Sequence, residues 1–429
     1  MDSDLSKNIP KARWLHIIPP VLLVYIIAYM DRTNISFAMA GGMNKTLGIA
    51  ADMSGLAAGI FFVGYMVLQI PGGQIAERGN VKKFIALTIV GWGGFAILSG
   101  FVQNSIQLLI VRFLIGVAEG GVYPAMLTIL SHWFPNEERG RANALFCMNL
   151  PIGAIITGPL SGLIISAFSW RYVFIIEGII ALALIFVWWP LISDRPENAK
   201  WISNEEKNYI LTKLREEQEE FKKEDKVNGK VPFKKLLSNS NVWKLTAIYF
   251  CFTTGVYGFA LWLPSLLKEI VHFGMSGIGF LSIIPYIGTI IGLYVFSSLS
   301  DKSNNRRFWT GILLVVFAVC LILSVQFKHV VWLSFIFMIG CGACLQAPAS
   351  VFWTIPPILF ESDMAASSRG FINALGNLGG FLGPYIVGFL ISRYNSTIGI
   401  FSLAIFLLVG FFISMTLPAK TAGAGYERN

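Results

Sequence analysis

The stretch "LIVRFLIGVAEGGVYPAM" sets a cation, Arg112, and an acid, Glu119, among apolar and small residues in a run long enough to cross a bilayer. On insertion scales a charge at mid-membrane depth costs roughly 3 kcal/mol. Seven residues make about two helical turns, so the two side chains share a face about 10 Å apart along the axis. A second stretch of this kind, "YIIAYMDRTNISFAMA", carries Asp31 and Arg32. Tyr25, Tyr29 and Arg32 fall at i, i+4 and i+7 on one face, while Asp31 points about 100° away. A third, "FFVGYMVLQIPGG", presents the Tyr65 hydroxyl and the Gln69 amide to one side at i, i+4. A guanidinium fork suits a carboxylate ligand, and buried acids can take up and release protons. Ionisable groups inside a membrane usually line a polar cavity, so a binding site is expected here rather than structural ion pairs alone. Glu177 in "FIIEGII" reads instead as a hydrogen-bonding group between helices.

Other chemistries find no support. Four histidines never stand two at ligand spacing, so no metal site is expected. Five cysteines lie in apolar segments, and "CGAC" at 341–344 reads as small packing residues, not a redox pair. There is no GxxxxGK[ST] loop for a nucleotide and no nucleophile–base arrangement. The expectation is a protein that is no enzyme and has no cofactor.

The elements that must position these residues are membrane helices. The 429 residues are 55% hydrophobic and only 13% charged, against about 25% charged in soluble proteins. Twelve apolar segments can be marked, near 14–40, 54–76, 84–102, 106–131, 142–168, 171–191, 242–268, 277–299, 308–326, 330–358, 368–393 and 398–418. The first is too long for the apolar core of a secretory signal and no cleavage site follows it. If the N-terminus is cytoplasmic, the inner segments hold 26 of the 33 Lys and Arg and the outer loops 5. That bias predicts both termini inside. The net charge of +9 is therefore topology signal, and nucleic-acid binding is not expected.

One long polar segment, 192–241, separates an N-terminal half (1–191) from a C-terminal half (242–429). Within it "WISNEEKNYILTKLREEQEEF" predicts a soluble surface helix, with Ser203 as N-cap and Glu206 completing a capping box. The halves repeat. "ERGNVKK" (77–83) answers "DKSNNRR" (301–307), and "RGRANAL" (139–145) answers "RGFINAL" (369–375). Two parallel six-helix repeats resemble the major facilitator superfamily, and "GGQIAERGNVKK" is similar to its loop signature, with Asn80 where Gly is usual. The fold implied is all-α: twelve transmembrane helices in two pseudo-symmetric six-helix domains.

"YMDRTN", "YMVLQ" and "RFLIGVAEGG", with "FSWRYVFIIEG", "YGFALWLPSLL" and "GNLGGFLGP", resemble the anion:cation symporter family. That family includes bacterial transporters of sugar acids and, in animals, sialin and the vesicular glutamate transporters. The resemblance implies that Arg32 meets a substrate carboxylate, and that Tyr29, Tyr65 and Gln69 line the cavity. Asn373 and Asn377 are the partners expected from the second half. Asp31 and Glu119 match proton-carrying acids, and Arg112 matches an arginine that pairs with the acid seven residues on. Glu77, Arg78, Lys82, Lys83, Asp301, Lys302, Arg306 and Arg307, with Arg139 and Arg369 of the second repeated motif, match gating residues at the inner helix ends. Phe252 stands where vesicular glutamate transporters carry an arginine, which argues against that substrate. The implied protein is a monomer in the cytoplasmic membrane that imports an organic anion, sugar-acid-like, with protons. A multidrug or organic-ion exporter of the same fold is the alternative.

Overall fold

The computed structural model describes residues 11–228, 236–303, 305–360 and 362–418. Twelve helices are long and apolar enough to span a membrane: Ala12–Leu47, Ala51–Gln69, Val81–Ser99, Ser105–Trp133, Asn136–Ala167, Trp170–Leu191, Ser240–Ile270, Met275–Ser303, Arg306–Gln326, Val331–Leu359, Ser367–Arg393 and Ser396–Met415. Among the described residues no strand occurs. These are the twelve segments expected, and they are numbered here as spans one to twelve. Span one outruns its predicted end because its helix widens at Met39–Met43, where Gly42 takes φ +104°, and then continues to Leu47. The linker and the turns after spans two, four, eight and ten share one face, called the linker face; the opposite face is distal.

Bulky side chains are sorted by solvent. Trp92, Trp133, Trp188, Phe61, Phe259 and Phe317 are fully buried between helices, whereas Phe186 (82% exposed) and Trp332 (83%) project outward. Outward aromatic rings on helical spans are what a bilayer, not water, would solvate. Between helices the driving force in lipid is close packing. Gly116 and Gly120 of span four illustrate it: a Cβ on either would strike the carbonyl oxygen of Phe61 or Tyr65 on span two. Their lack of side chains lets the two backbones touch, and that contact sets the depth of Arg112 and Glu119.

The halves meet at the distal ends of their spans. Asp52 N–H donates to Ser392 Oγ at 2.8 Å, Lys268 Nζ to the Ala40 carbonyl at 2.7 Å, and Ser276 N–H to Ser166 Oγ at 2.9 Å. At the linker face the ion pairs among the described residues join groups of one half or bind the linker helix. The structure is closed on the distal side.

The linker helix, Asn204–Asn228, is not a free surface helix. Ser203 Oγ accepts from Glu206 N–H at 3.2 Å, as predicted. The Glu206 carboxylate does not complete the box. It accepts from the backbone N–H groups of Ala12 and Arg13 (3.2 and 3.1 Å) and from Arg13 Nη1 (2.7 Å), capping the start of span one. Helix N-termini leave donors unsatisfied, and a carboxylate there gains from both hydrogen bonds and the helix dipole. Arg13 also meets Glu138 of span five at 2.7 Å, and Trp201 stacks between His16 and Trp133. Glu206→Ala is expected to lower stability by about 3 kcal/mol, because it strips a buried arginine of one carboxylate. Thermal unfolding in detergent measures this.

Candidate functional site

Three spans converge on the middle of span one. Arg32, 5% exposed, lies over the rings of Phe61 (5.1 Å to the centroid) and Tyr65 (4.8 Å) on span two. Its Nη2 reaches Glu119 Oε2 on span four at 3.3 Å. Arg112 flanks the same Phe61 ring at 5.3 Å. The expected pairing of Arg112 with Glu119 is absent. Arg112 instead donates to the main-chain oxygens of Asp31 (3.0 Å) and Arg32 (3.3 Å). Two turns of helix separate it from Glu119, so each meets span one at a different depth. Helical carbonyls keep a second lone pair, which a guanidinium can use. Arg112 thus fastens span one, and Glu119 is left to Arg32.

Asp31 faces away from Arg32, as its position on the helix requires. Its Oδ1 accepts from Asn34 Nδ2 at 3.2 Å. The same amide donates to Glu177 Oε2 at 3.0 Å, and Ser161 Oγ donates to Glu177 Oε1 at 2.8 Å. Glu177 thus has the hydrogen-bonding place expected of it, with no exposure. Among the described residues, Asp31 Oδ2, Glu119 Oε1, Asn34 Oδ1, Arg32 Nε and Gln69 Oε1 are buried with no hydrogen-bond partner. Buried polar atoms are rarely left so; Glu119 Oε1 and Arg32 Nε belong to the Arg32–Glu119 pair, and Asp31 Oδ2 and Asn34 Oδ1 to the neighbouring Asn34 network.

Around this cluster Tyr25 and Tyr65 share a hydroxyl contact of 3.4 Å. Tyr29 enters a cleft between the halves, lined also by Leu150, Pro151, Val256, Tyr286, Thr289 and Gln346. Tyr257 packs on Phe62 at 4.4 Å and lies within electrostatic reach of Arg32. Tyr286 and Tyr257 were not singled out by sequence reasoning. Lone tyrosines in apolar spans carry no spacing signal, although Tyr257 sits in the quoted "YGFALWLPSLL". Asn377 Nδ2 donates to the carbonyl (2.8 Å) and side-chain oxygen (3.1 Å) of Asn373, at the break in span eleven.

At the linker face the described contacts of the residues expected to gate stay within their own half or reach the linker. Lys82 N–H donates to Asp194 at 2.6 Å and its ammonium lies over Trp189, while Lys83 N–H is capped by Asn80 Oδ1 at 2.8 Å. Asn80, standing in for the usual Gly, is therefore the N-cap of span three. Asp301 pairs with Arg306, and Arg307 holds the Leu417 carbonyl at 2.5 Å. Arg139 binds Glu217 of the linker helix at 2.8 Å. Lys302 and Arg369 are exposed. The side chains of Glu77 and Arg78 lie outside the described residues.

The model of the Major Facilitator Superfamily matches residues 21–384. The chain is 31% identical, over 96% of its length and 94% of the relative's, to a putative tartrate transporter of Agrobacterium vitis. It is 30% identical to a quinolone resistance transporter of Acinetobacter baumannii, over 97% of its own length and 96% of that protein's. Its fold superposes with TM-score 0.73 and 16% identity on a bacterial homolog of the human lysosomal transporter Spinster, in an inward-facing and occupied conformation, covering 95% of this chain and 97% of that one. With twelve spans, an internal repeat and a charged cluster at mid-depth, this chain belongs to the Major Facilitator Superfamily and is a multi-pass membrane transporter, not an enzyme.

Proposed function

We propose that the protein imports a small organic anion, a hydroxylated carboxylate of sugar-acid type, together with protons. The observation that carries this reading is that among the described residues Arg32 has one carboxylate partner, Glu119, whose second oxygen is unsatisfied. A substrate carboxylate entering the site competes with Glu119 for the same guanidinium. Two ionised carboxylates repel strongly in a low-dielectric cavity, so the anion is admitted when Glu119 accepts a proton. Arg112, held on main-chain oxygens, keeps span one in register. Tyr29, Tyr65, Gln69, Asn373 and Asn377 supply hydroxyl and amide contacts. Asp31 is the second proton carrier.

The Lys and Arg bias supports a cytoplasmic linker face, which would make the form closed on the distal side the inward-facing one. In the opposite form Glu77, Arg78, Lys82, Lys83, Asp301, Lys302, Arg306, Arg307, Arg139 and Arg369 would close the linker face across the halves. Domains of this kind rock about a fixed midplane site. The coupling ion is the proton, and the functional unit is the monomer.

A relative named for tartrate favours the carboxylate reading, while one named for quinolone resistance keeps an exporter in play. A quinolone itself carries a carboxylate, so direction of flux decides between them. Proteoliposomes with an acidic exterior are expected to accumulate tartrate or a hexonate at least about tenfold over gradient-free controls. Outward transport of quinolone without uptake of any carboxylate would replace this reading with the exporter.

A further inference from the structure

Glu177 is a buried acid that the scheme above leaves unused. It stands two helical turns from the distal start of span six and is 0% exposed. The Asn34 amide carries two N–H bonds, and it spends them on two carboxylates, Asp31 Oδ1 and Glu177 Oε2. Ser161 adds one more donor to Glu177. No ion pair to either acid occurs among the described residues, since Arg112 gives its bonds to main-chain oxygens and Arg32 to Glu119. The charged groups within electrostatic reach of Asp31, besides Glu177 itself, are Arg112 and Glu119 on span four, while Arg32 on span one is turned to Glu119. Spans three and five present no charged side chain at that level. Two unpaired carboxylates on one amide are unstable when both are ionised in a low-dielectric interior. Meanwhile Asp31 Oδ2 and Asn34 Oδ1 are buried acceptors with no donor. A proton is the donor this cluster lacks.

We propose that Asp31 and Glu177, bridged by Asn34, hold one proton in common, and that Glu177 is a positioning residue governing how readily Asp31 takes up and gives up its proton. This rests on the proton-symport reading and deepens it. Acids coupled this closely titrate as a pair in two separated steps. Glu177→Gln removes the negative charge, keeps one oxygen to accept from Asn34 Nδ2, and turns the other position into an NH2 that the Ser161 hydroxyl can accept from. Asp31 then holds its proton less tightly, so half-maximal uptake moves to a more acidic exterior by about one pH unit, tenfold in proton concentration. Ser161→Ala leaves span one untouched and withdraws a donor that favours ionised Glu177. It is expected to shift the profile in the same direction by less, and it serves if Glu177→Gln fails to fold.

The second measurement needs no transport. Infrared titration of the purified protein follows the C=O stretch of protonated carboxyls. Beside the step of Glu119, the wild type is expected to show two steps from the Asp31–Glu177 pair, which Glu177→Gln reduces to one at lower pH. A wild type indifferent to a pH gradient, yet with the two infrared steps, would retire proton symport and leave the shared proton standing. A proton-dependent wild type whose profile and infrared steps neither variant moves would overturn the proposal alone. A fall in thermal stability with unchanged titration would make Glu177 purely structural and overturn it equally.

Discussion

Arg32→Ala is expected to abolish anion binding, with affinity reduced at least about a hundredfold. Truncating one partner of a buried, hydrogen-bonded charge pair costs roughly 2–5 kcal/mol, and a hundredfold is about 2.7 kcal/mol. Two effects add. The anion loses its only proposed cationic contact, because Arg112 is committed to the main chain of span one. Glu119 also loses its partner and stays as an unpaired acid in the path of the anion. Arg32→Lys separates charge from shape. It keeps the cation, gives up the fork and the stacking on Phe61 and Tyr65, and should fall between wild type and Arg32→Ala. Thermal shift of the purified variants against a panel of carboxylates, followed by calorimetry on the best ligand, makes the measurement. Binding unaltered in Arg32→Ala would remove Arg32 from the substrate site.

Much of this architecture is legible in the chain, and the illegible parts share a cause. Spans, the half boundary and the repeat follow from hydropathy and from short motifs, which are local properties. That Asp31 and Arg32 diverge follows from helical periodicity alone, and the structure has them on different networks. Which charge meets which does not follow, because partners lie on other helices and depend on relative height. Arg112 and Glu119 share a face, yet Gly116 and Gly120 seat span four against span two so that one side chain meets carbonyls and the other a guanidinium. Glu206 shows the same limit outside the membrane. Its capping-box spacing is real, but an unsatisfied helix start 193 residues away in sequence is a better partner than its own helix. Asn34 was quoted within "YMDRTN" without a role, since only the fold brings Glu177 to its amide.

Glu119→Gln should uncouple the transporter without emptying its site. In the proposed scheme an ionised Glu119 occupies Arg32, so anion and proton would compete with and assist one another through a single guanidinium. Linkage then requires reciprocity: if a proton on Glu119 strengthens anion binding by some factor, bound anion strengthens proton binding by the same factor. Wild-type affinity for the carboxylate is expected to weaken as pH rises, by up to tenfold per pH unit where one proton is taken up. Glutamine resembles the protonated acid in shape and lack of charge, and it leaves Arg32 open to the anion at every pH. The variant therefore binds at alkaline pH at least as tightly as the wild type, with a flattened pH dependence from which only the Asp31–Glu177 contribution remains. Accumulation driven by a pH gradient is expected to fall at least about tenfold, because empty and loaded carriers no longer differ by a proton at this site. Counterflow exchange needs only binding and reorientation of the loaded form, and should stay within about twofold of wild type. Uptake and counterflow measured on the same proteoliposomes give both numbers from one preparation. Equal loss of the two would mean that Glu119 holds the site together and does not carry the proton.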